Sequence, residues 1–195
     1  GICNGIALHG SGMIPYCASF LAFVDYMRSA IRMSALSQAG VIYIFTHDSV
    51  AVGEDGPTHQ PIEHVASLRL IPNISVIRPA DGNEVSGAYK VAVRNRHRPT
   101  ALILTRQKVP PVEGSSIDDV AKGAYVIRDC EGKPDMLLIG TGSEVYLCVE
   151  TAKKLAEDGI NARVISLPCW NIFEEQSKEY QESVLPSDIT KRLAV

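Results

Sequence analysis

The chain has no CxxC pair, no long apolar run and no surplus of positive charge. Each absence excludes a class of protein. Its five cysteines, Cys3, Cys17, Cys130, Cys148 and Cys169, are odd in number and widely spaced. That pattern speaks for reduced thiols in a reducing compartment and against a disulfide framework or zinc site. No apolar stretch reaches the roughly 20 residues of a membrane-spanning helix, and no signal-peptide pattern is present, so no membrane partner is expected. A net charge of −3 leaves no electrostatic footprint for nucleic acid, and any bound anion must be held by local groups. Internal repeats and low-complexity tracts are missing too. What remains, at 195 residues, is enough chain for one large domain or two small ones.

Strand-like and helix-like patterns alternate along the chain. The first ten residues, "GICNGIALHG", read as the middle of a packed helix with no N-cap, and "ITKRLAV" closes on a strand-like run. Both ends are therefore expected to be cuts through structure in something longer. Phe20, Phe23, Val24, Met27 and Ile31 form an apolar stripe that predicts an amphipathic helix over 18–36. Strands are expected at Val41–Phe45, Ile74–Ile77 and Ala101–Leu104, with helices over Ile62–Leu70 and from Asp81, an N-cap followed by Glu84, to about Asn95. The Pro- and Ser-rich "QKVPPVEGSSIDDVAK" reads as an exposed connection. Beyond it come strands at Tyr125–Arg128, Met136–Ile139 and Ala162–Leu167, a helix over Val145–Asp158 and a last strand near Arg192–Val195. The expected fold is α/β, a mainly parallel sheet flanked by helices and followed by a second α/β domain, with the boundary near residue 115.

Chemistry gathers after the first strands. His47, Arg78 and Arg106 each follow a strand directly, so all three should leave one edge of a parallel sheet, where ligands of such folds bind. Two guanidinium groups and an imidazole suit a phosphate; alternatively the arginines cap carbonyls or pair with carboxylates. The loop "THDSVAVGEDGPTHQP" at 46–61 adds Asp48, Glu54, Asp55 and His59 on a path made rigid by Gly53, Gly56 and Pro57. His47 and His59 could exchange protons near neutral pH, and Asp55 could accept hydrogen bonds from sugar-like hydroxyls. The alternative is a solvated loop with idle histidines.

"THDS" and "GEDGPTHQP", followed in unbroken order by "RPADGNE", "TRQ", "KGAYV", "GTGSEV" and "VLPSDI", resemble the signature of transketolases. The resemblance implies a thiamine-diphosphate enzyme that moves a two-carbon ketol unit between sugar phosphates, in the pentose phosphate pathway or the Calvin cycle. It divides the chain into a pyrimidine-binding domain over 1–115 and the start of the C-terminal domain over 116–195. Phe20, Phe23 and Tyr26 match the aromatics around the cofactor's aminopyrimidine. His47 and Arg106 match groups that grip the sugar phosphate, and Asp55 the residue that checks the configuration of a donor hydroxyl. His59 matches a histidine near the reacting carbons, placed to donate a hydrogen bond or carry a proton. Arg78 matches a family arginine for which a structural role is expected.

The family's activating glutamate, in an "REH" motif, and its diphosphate-holding domain with a bound magnesium or calcium ion lie outside this sequence. The resemblance thus implies an enzyme as the parent protein, a homodimer in plastid stroma or cytoplasm, with these residues alone inactive. The "GTGSEV" turn resembles a phosphate cradle, but its spacing departs from GxGxxG and a packing role is expected. Two other readings stay open: a related thiamine enzyme such as dihydroxyacetone synthase, or a non-catalytic partner module that keeps the fold.

Overall fold

The computed structural model describes residues 1–195 and divides into two compact units. The first comprises Gly1–Arg78 and Tyr89–Lys108, the second Pro79–Ala88 and Val109–Val195. The elements run α1 (Ile2–Leu8), β1 (Tyr16–Phe20), α2 (Arg28–Leu36), β2 (Ile42–Thr46), α3 (His64–Arg69), β3 (Ser75–Ile77), α4 (Gly82–Arg94) and β4 (Thr100–Ile103). They continue with β5 (Tyr125–Arg128), β6 (Met136–Gly140), α5 (Glu144–Glu157), β7 (Ala162–Ser166), α6 (Trp170–Glu174), α7 (Lys178–Val184) and β8 (Arg192–Ala194).

In the first unit the sheet order is β1-β2-β4-β3 and every pair is parallel. All four carboxyl ends therefore share one edge. Central strand β2 is apolar along nearly its whole length, and Tyr43 and Phe45 sit in a core with Leu21, Val24, Ile31, Leu68, Val76 and Ile103. Helix α1 has no fully buried residue, but its half-buried Cys3 and Ala7 pack against this core.

The single helix expected over 18–36 is replaced by three elements: β1, a 3-10 helix over Leu21–Tyr26, and α2. The apolar spacing is real but serves two periods. Leu21 and Val24, three apart, are fully buried on one side of the 3-10 turn, whose side chains eclipse at that interval. Upstream, pairing with β2 in the register Tyr16↔Ile42 to Phe20↔Thr46 satisfies backbone groups that a helix would have satisfied locally.

The second unit has the order β5-β7-β6-β8, with β5 antiparallel to β7 and the other pairs parallel. Alternation along the strands sends Leu138 and Val164 to one face, under α5, and Leu137 and Ile165 to the other, with Phe173 and Val184. The last two come from α6 and α7, which stand where the sequence suggests no element. Helix α7 starts at a Ser177 cap whose hydroxyl accepts from the Tyr180 N–H.

Glu84 departs from the expected capping box. Asp81 does cap α4, accepting from the N–H groups of Asn83 and Glu84. The Glu84 carboxylate is wholly buried, however, and accepts from the Ala80 N–H at 2.7 Å, the Tyr125 hydroxyl at 2.7 Å and the Ser166 hydroxyl at 2.5 Å. Burial raises its pKa above the ordinary 4.5 despite these three donors, with Asp81 adding to the rise. A raised folded value means stability that is full below the ordinary range and is lost as pH climbs through the elevated one. Removing the acceptor in Glu84→Ala leaves buried donors unpaired and is expected to cost about 2–3 kcal/mol. Glu84→Gln should instead flatten the decline in stability with rising pH. Urea unfolding followed through Trp170, the single tryptophan and part of this unit, measures both; an unchanged pH slope in Glu84→Gln would show that the carboxyl does not titrate on folding.

Candidate ligand site at the strand edge of the first unit

The site is built where β2 and β4 end and the loop of residues 46–61 begins. His47 takes the left-handed conformation, φ 62°, at the first step beyond β2. For a non-glycine residue this is uncommon, though histidine tolerates it better than most. It turns the imidazole back over β1, where the ring stacks on Phe20 with centroids 3.7 Å apart and planes 22° from parallel. Nδ1 of His47 meets the Thr46 hydroxyl at 3.0 Å, and Nε2 faces Asp55 Oδ2 at 3.9 Å.

The loop then makes two short 3-10 turns, Gly53–Asp55 and Pro57–His59. Gly56 joins them at φ 78° and ψ −175°, a backbone region open essentially to glycine alone. Gly53, at φ 73°, leaves room for the Arg106 guanidinium: a Cβ there would stand 3.2 Å from its terminal nitrogen. Arg106 is exposed and makes no hydrogen bond or ion pair, so its donors are available to an anion. His59 lies edge-on to Phe23 at 5.2 Å and to Phe20 at 6.1 Å, and its Nδ1 meets the Thr58 hydroxyl at 2.9 Å. Phe20 and Phe23 are nearly parallel with centroids 6.2 Å apart, and Tyr26 extends the row 6.1 Å beyond Phe23. The ring of Tyr26 is exposed.

The structure thus gathers Phe20, Phe23, Tyr26, His47, Asp55, His59 and Arg106 along one rim. Arg78 is not among them. Its Nε and a terminal nitrogen both donate to Asp48 Oδ2 at 2.8 Å, with the two side chains 11% and 1% exposed. Asp48 has a position in the sequence reading but no role there. The available signal was an acid beside His47 with an arginine ending a strand of the same sheet. Its other oxygen, Oδ1, is buried without a hydrogen-bond partner.

A separate cluster, Asp25, Glu63 and His64, brings three metal-capable side chains together. The Ile62 N–H donates to Nδ1 of His64 at 3.3 Å, which leaves the Nε2 proton directed at Asp25 Oδ2, 3.4 Å away. That tautomer satisfies the ring as a buried structural histidine. The "GTGSEV" turn also packs tightly, since a Cβ on Gly140 would lie 2.9 Å from the Val145 Cα.

Comparison with known proteins places this rim in context. The transketolase pyrimidine-binding domain profile matches residues 1–112, and the transketolase-like C-terminal domain profile matches 123–195. The chain is 64% identical to a transketolase of Nostoc sp. and 59% identical to a chloroplastic transketolase of Solanum tuberosum. Each alignment covers all of this chain but only 29% and 26% of those proteins. A transketolase variant of Pichia stipitis solved in complex with fructose 6-phosphate superposes with a TM-score of 0.95 at 50% identity, covering 100% of this chain and 28% of that one.

Proposed function

Because the chain belongs to the transketolase family, we propose that it supplies the aminopyrimidine wall and the sugar-phosphate rim of a ketol-transferring enzyme. The reaction is transfer of a two-carbon ketol unit from a ketose phosphate to an aldose phosphate, as in the pentose phosphate pathway and the Calvin cycle. Residues 1–115 act as the pyrimidine-binding domain and 116–195 as the opening of the C-terminal domain, a division that the two profile matches support. The observation that carries the reading is the convergence of Phe20, His47, His59 and Asp55, with Arg106 lying over Gly53 in the same loop.

The row of half-buried Phe20 and Phe23 and exposed Tyr26 suits a flat heteroaromatic ring, which packs offset or edge-on against such side chains. Bound thiamine diphosphate would supply the carbon nucleophile of ketol transfer. The chain's own residues bind, orient and move protons. Arg106 offers a planar pair of donors to a phosphate. His47, held by Phe20 and Thr46, adds its Nε2 at the Asp55 end. Asp55 accepts from a donor hydroxyl. His59 has Nδ1 engaged by Thr58, so Nε2 is the nitrogen that donates to, or exchanges a proton with, the substrate.

The divalent ion, magnesium or calcium, and the diphosphate are held by groups outside these residues, and the complete site belongs to a homodimer. Plastid stroma or cytoplasm is the compartment, which the chloroplastic relatives support; no helix is long and apolar enough to cross a membrane. The test is a ketol-transfer assay on the full-length protein, with thiamine diphosphate and magnesium supplied or withheld, beside the same assay on residues 1–195. Turnover that needs the cofactor in the first and is absent in the second is expected. Cofactor-independent turnover, or equal turnover by residues 1–195, would overturn the reading.

A further inference from the structure

Cys3 and Cys17 are far apart in sequence but adjacent in the first unit. The Cys3 thiol donates to the carbonyl oxygen of Tyr16 at 3.7 Å, so its sulfur lies over the peptide link leading into Cys17. Cys17 pairs in register with Tyr43, whose hydroxyl reaches Asn4 of α1, so its side chain faces the helix that carries Cys3, and both cysteines pack against the same apolar core. Neither is fully buried. The other cysteines differ: Cys148 and Cys169 are buried, the Cys169 thiol donates to Asn171 Oδ1 at 3.1 Å, and Cys130 sits beside Asp129 and Arg163. One pair of thiols in this chain is therefore poised for chemistry that the ketol-transfer rim does not use.

We propose that Cys3 and Cys17 form a reversible intramolecular disulfide by exchange with a small external disulfide of the glutathione class. Cys3 thiolate attacks one sulfur of the external disulfide, expelling one thiolate and leaving a mixed disulfide on Cys3. Cys17 thiolate then attacks the Cys3 sulfur and expels the second. Two protein thiols are oxidised, one external disulfide is reduced to two thiols, and the protons of Cys3 and Cys17 pass to the leaving thiolates. The order follows from the surroundings. Burial, with Cys3 alongside, pushes the Cys17 thiol up to about 11, which makes it the poorer initiator and leaves it the resolving role.

The consequence lies in where the two residues sit. Helix α1 has no fully buried residue and is tied down through Asn4, which donates to the Ala30 carbonyl at 2.8 Å and accepts from the Tyr43 hydroxyl at 3.1 Å. Cys17 lies in β1 opposite Tyr43. Closing the disulfide pins α1 onto the strand whose last residue, Phe20, stacks on His47.

The test equilibrates residues 1–195 in buffers of increasing glutathione disulfide fraction, quenches in acid, alkylates free thiols and maps the peptides by mass spectrometry. Mixing isotope-labelled with unlabelled chains separates links within a chain from links between chains. The expected result is a Cys3–Cys17 linked peptide, within chains only, that rises with the oxidised fraction and disappears with dithiothreitol. Cys17→Ser should strand Cys3 as its glutathione adduct, while Cys148→Ser leaves the titration midpoint unshifted. Cys3 held as the adduct with Cys17 free at every ratio, or a link found only between chains, overturns the proposal. If Cys17→Ser does not fold, the wild-type titration still decides, because it distinguishes the linked peptide from the adduct without any variant.

Discussion

His59→Ala in the full-length protein is expected to lower kcat about 10²–10⁴-fold, the range for removing one general acid or base. The geometry favours a clean reading. The imidazole touches Phe20 and Phe23 only edge-on, so its loss leaves the aromatic row standing. His59 and its Thr58 partner lie in a loop turn and contribute nothing to the fully buried core. His59→Gln keeps a hydrogen-bond donor near Nε2 without a titrating proton, and should retain more activity than alanine if donation dominates. Arg106→Ala provides the contrast, because loss of a phosphate grip should raise KM for phosphorylated acceptors more than it lowers kcat. A His59→Ala enzyme with raised KM and unchanged kcat would assign the residue to ground-state binding and remove it from proton transfer.

Arg78→Ala is expected to destabilise the first unit by about 3–5 kcal/mol, the cost of stranding one member of a buried ion pair. Asp48 is 1% exposed at its side chain and leans on Arg78 through a single oxygen. Its other oxygen has no partner, so nothing else compensates the charge. The pair also stands next to His47, whose left-handed backbone has to be held against its intrinsic preference. Replacing both partners with apolar residues, Arg78→Met with Asp48→Leu, should recover much of the loss, since the desolvation cost disappears with the attraction. Hydrogen exchange of peptides from β2 and β4 in increasing urea reports on this unit separately from Trp170. A loss below about 1 kcal/mol would mean that water reaches Asp48 freely and that the pair behaves as a surface bridge.

Several elements were legible without coordinates. The run Val41–Phe45 reads as a buried strand because its side chains are apolar on both faces, and β2 is the central strand that this requires. Alternation of strand and helix then implies parallel pairing, which places the residues after β2, β3 and β4 on one edge. The segment 18–36 departs from its helical sequence pattern for a physical reason. An apolar stripe reports which side chains face the core, and a 3-10 turn running into an α-helix produces a spacing close to that of one longer helix. Edge strand β1 left little trace, since it is exposed or half-buried along its length and exists through its pairing with β2.

Glu84 shows the same limit at a single residue. Three residues after an N-cap, it reads as half of a capping box. It is in fact an acceptor for a tyrosine and a serine distant in sequence, a use that no local window reveals.

By itself the sequence determined the α/β class, the family and the cast of polar groups at the strand ends. Periodicity, glycine placement and motif order are properties of neighbours along the chain. Only the tertiary structure decided that Arg78 serves Asp48 while Arg106 stays free, that His47 lies flat on Phe20, and that Cys3 lies against the peptide link leading into Cys17. Those pairings depend on how segments far apart in the chain pack in three dimensions, where a difference of a few ångströms separates an exposed, unpaired guanidinium from a buried, paired one.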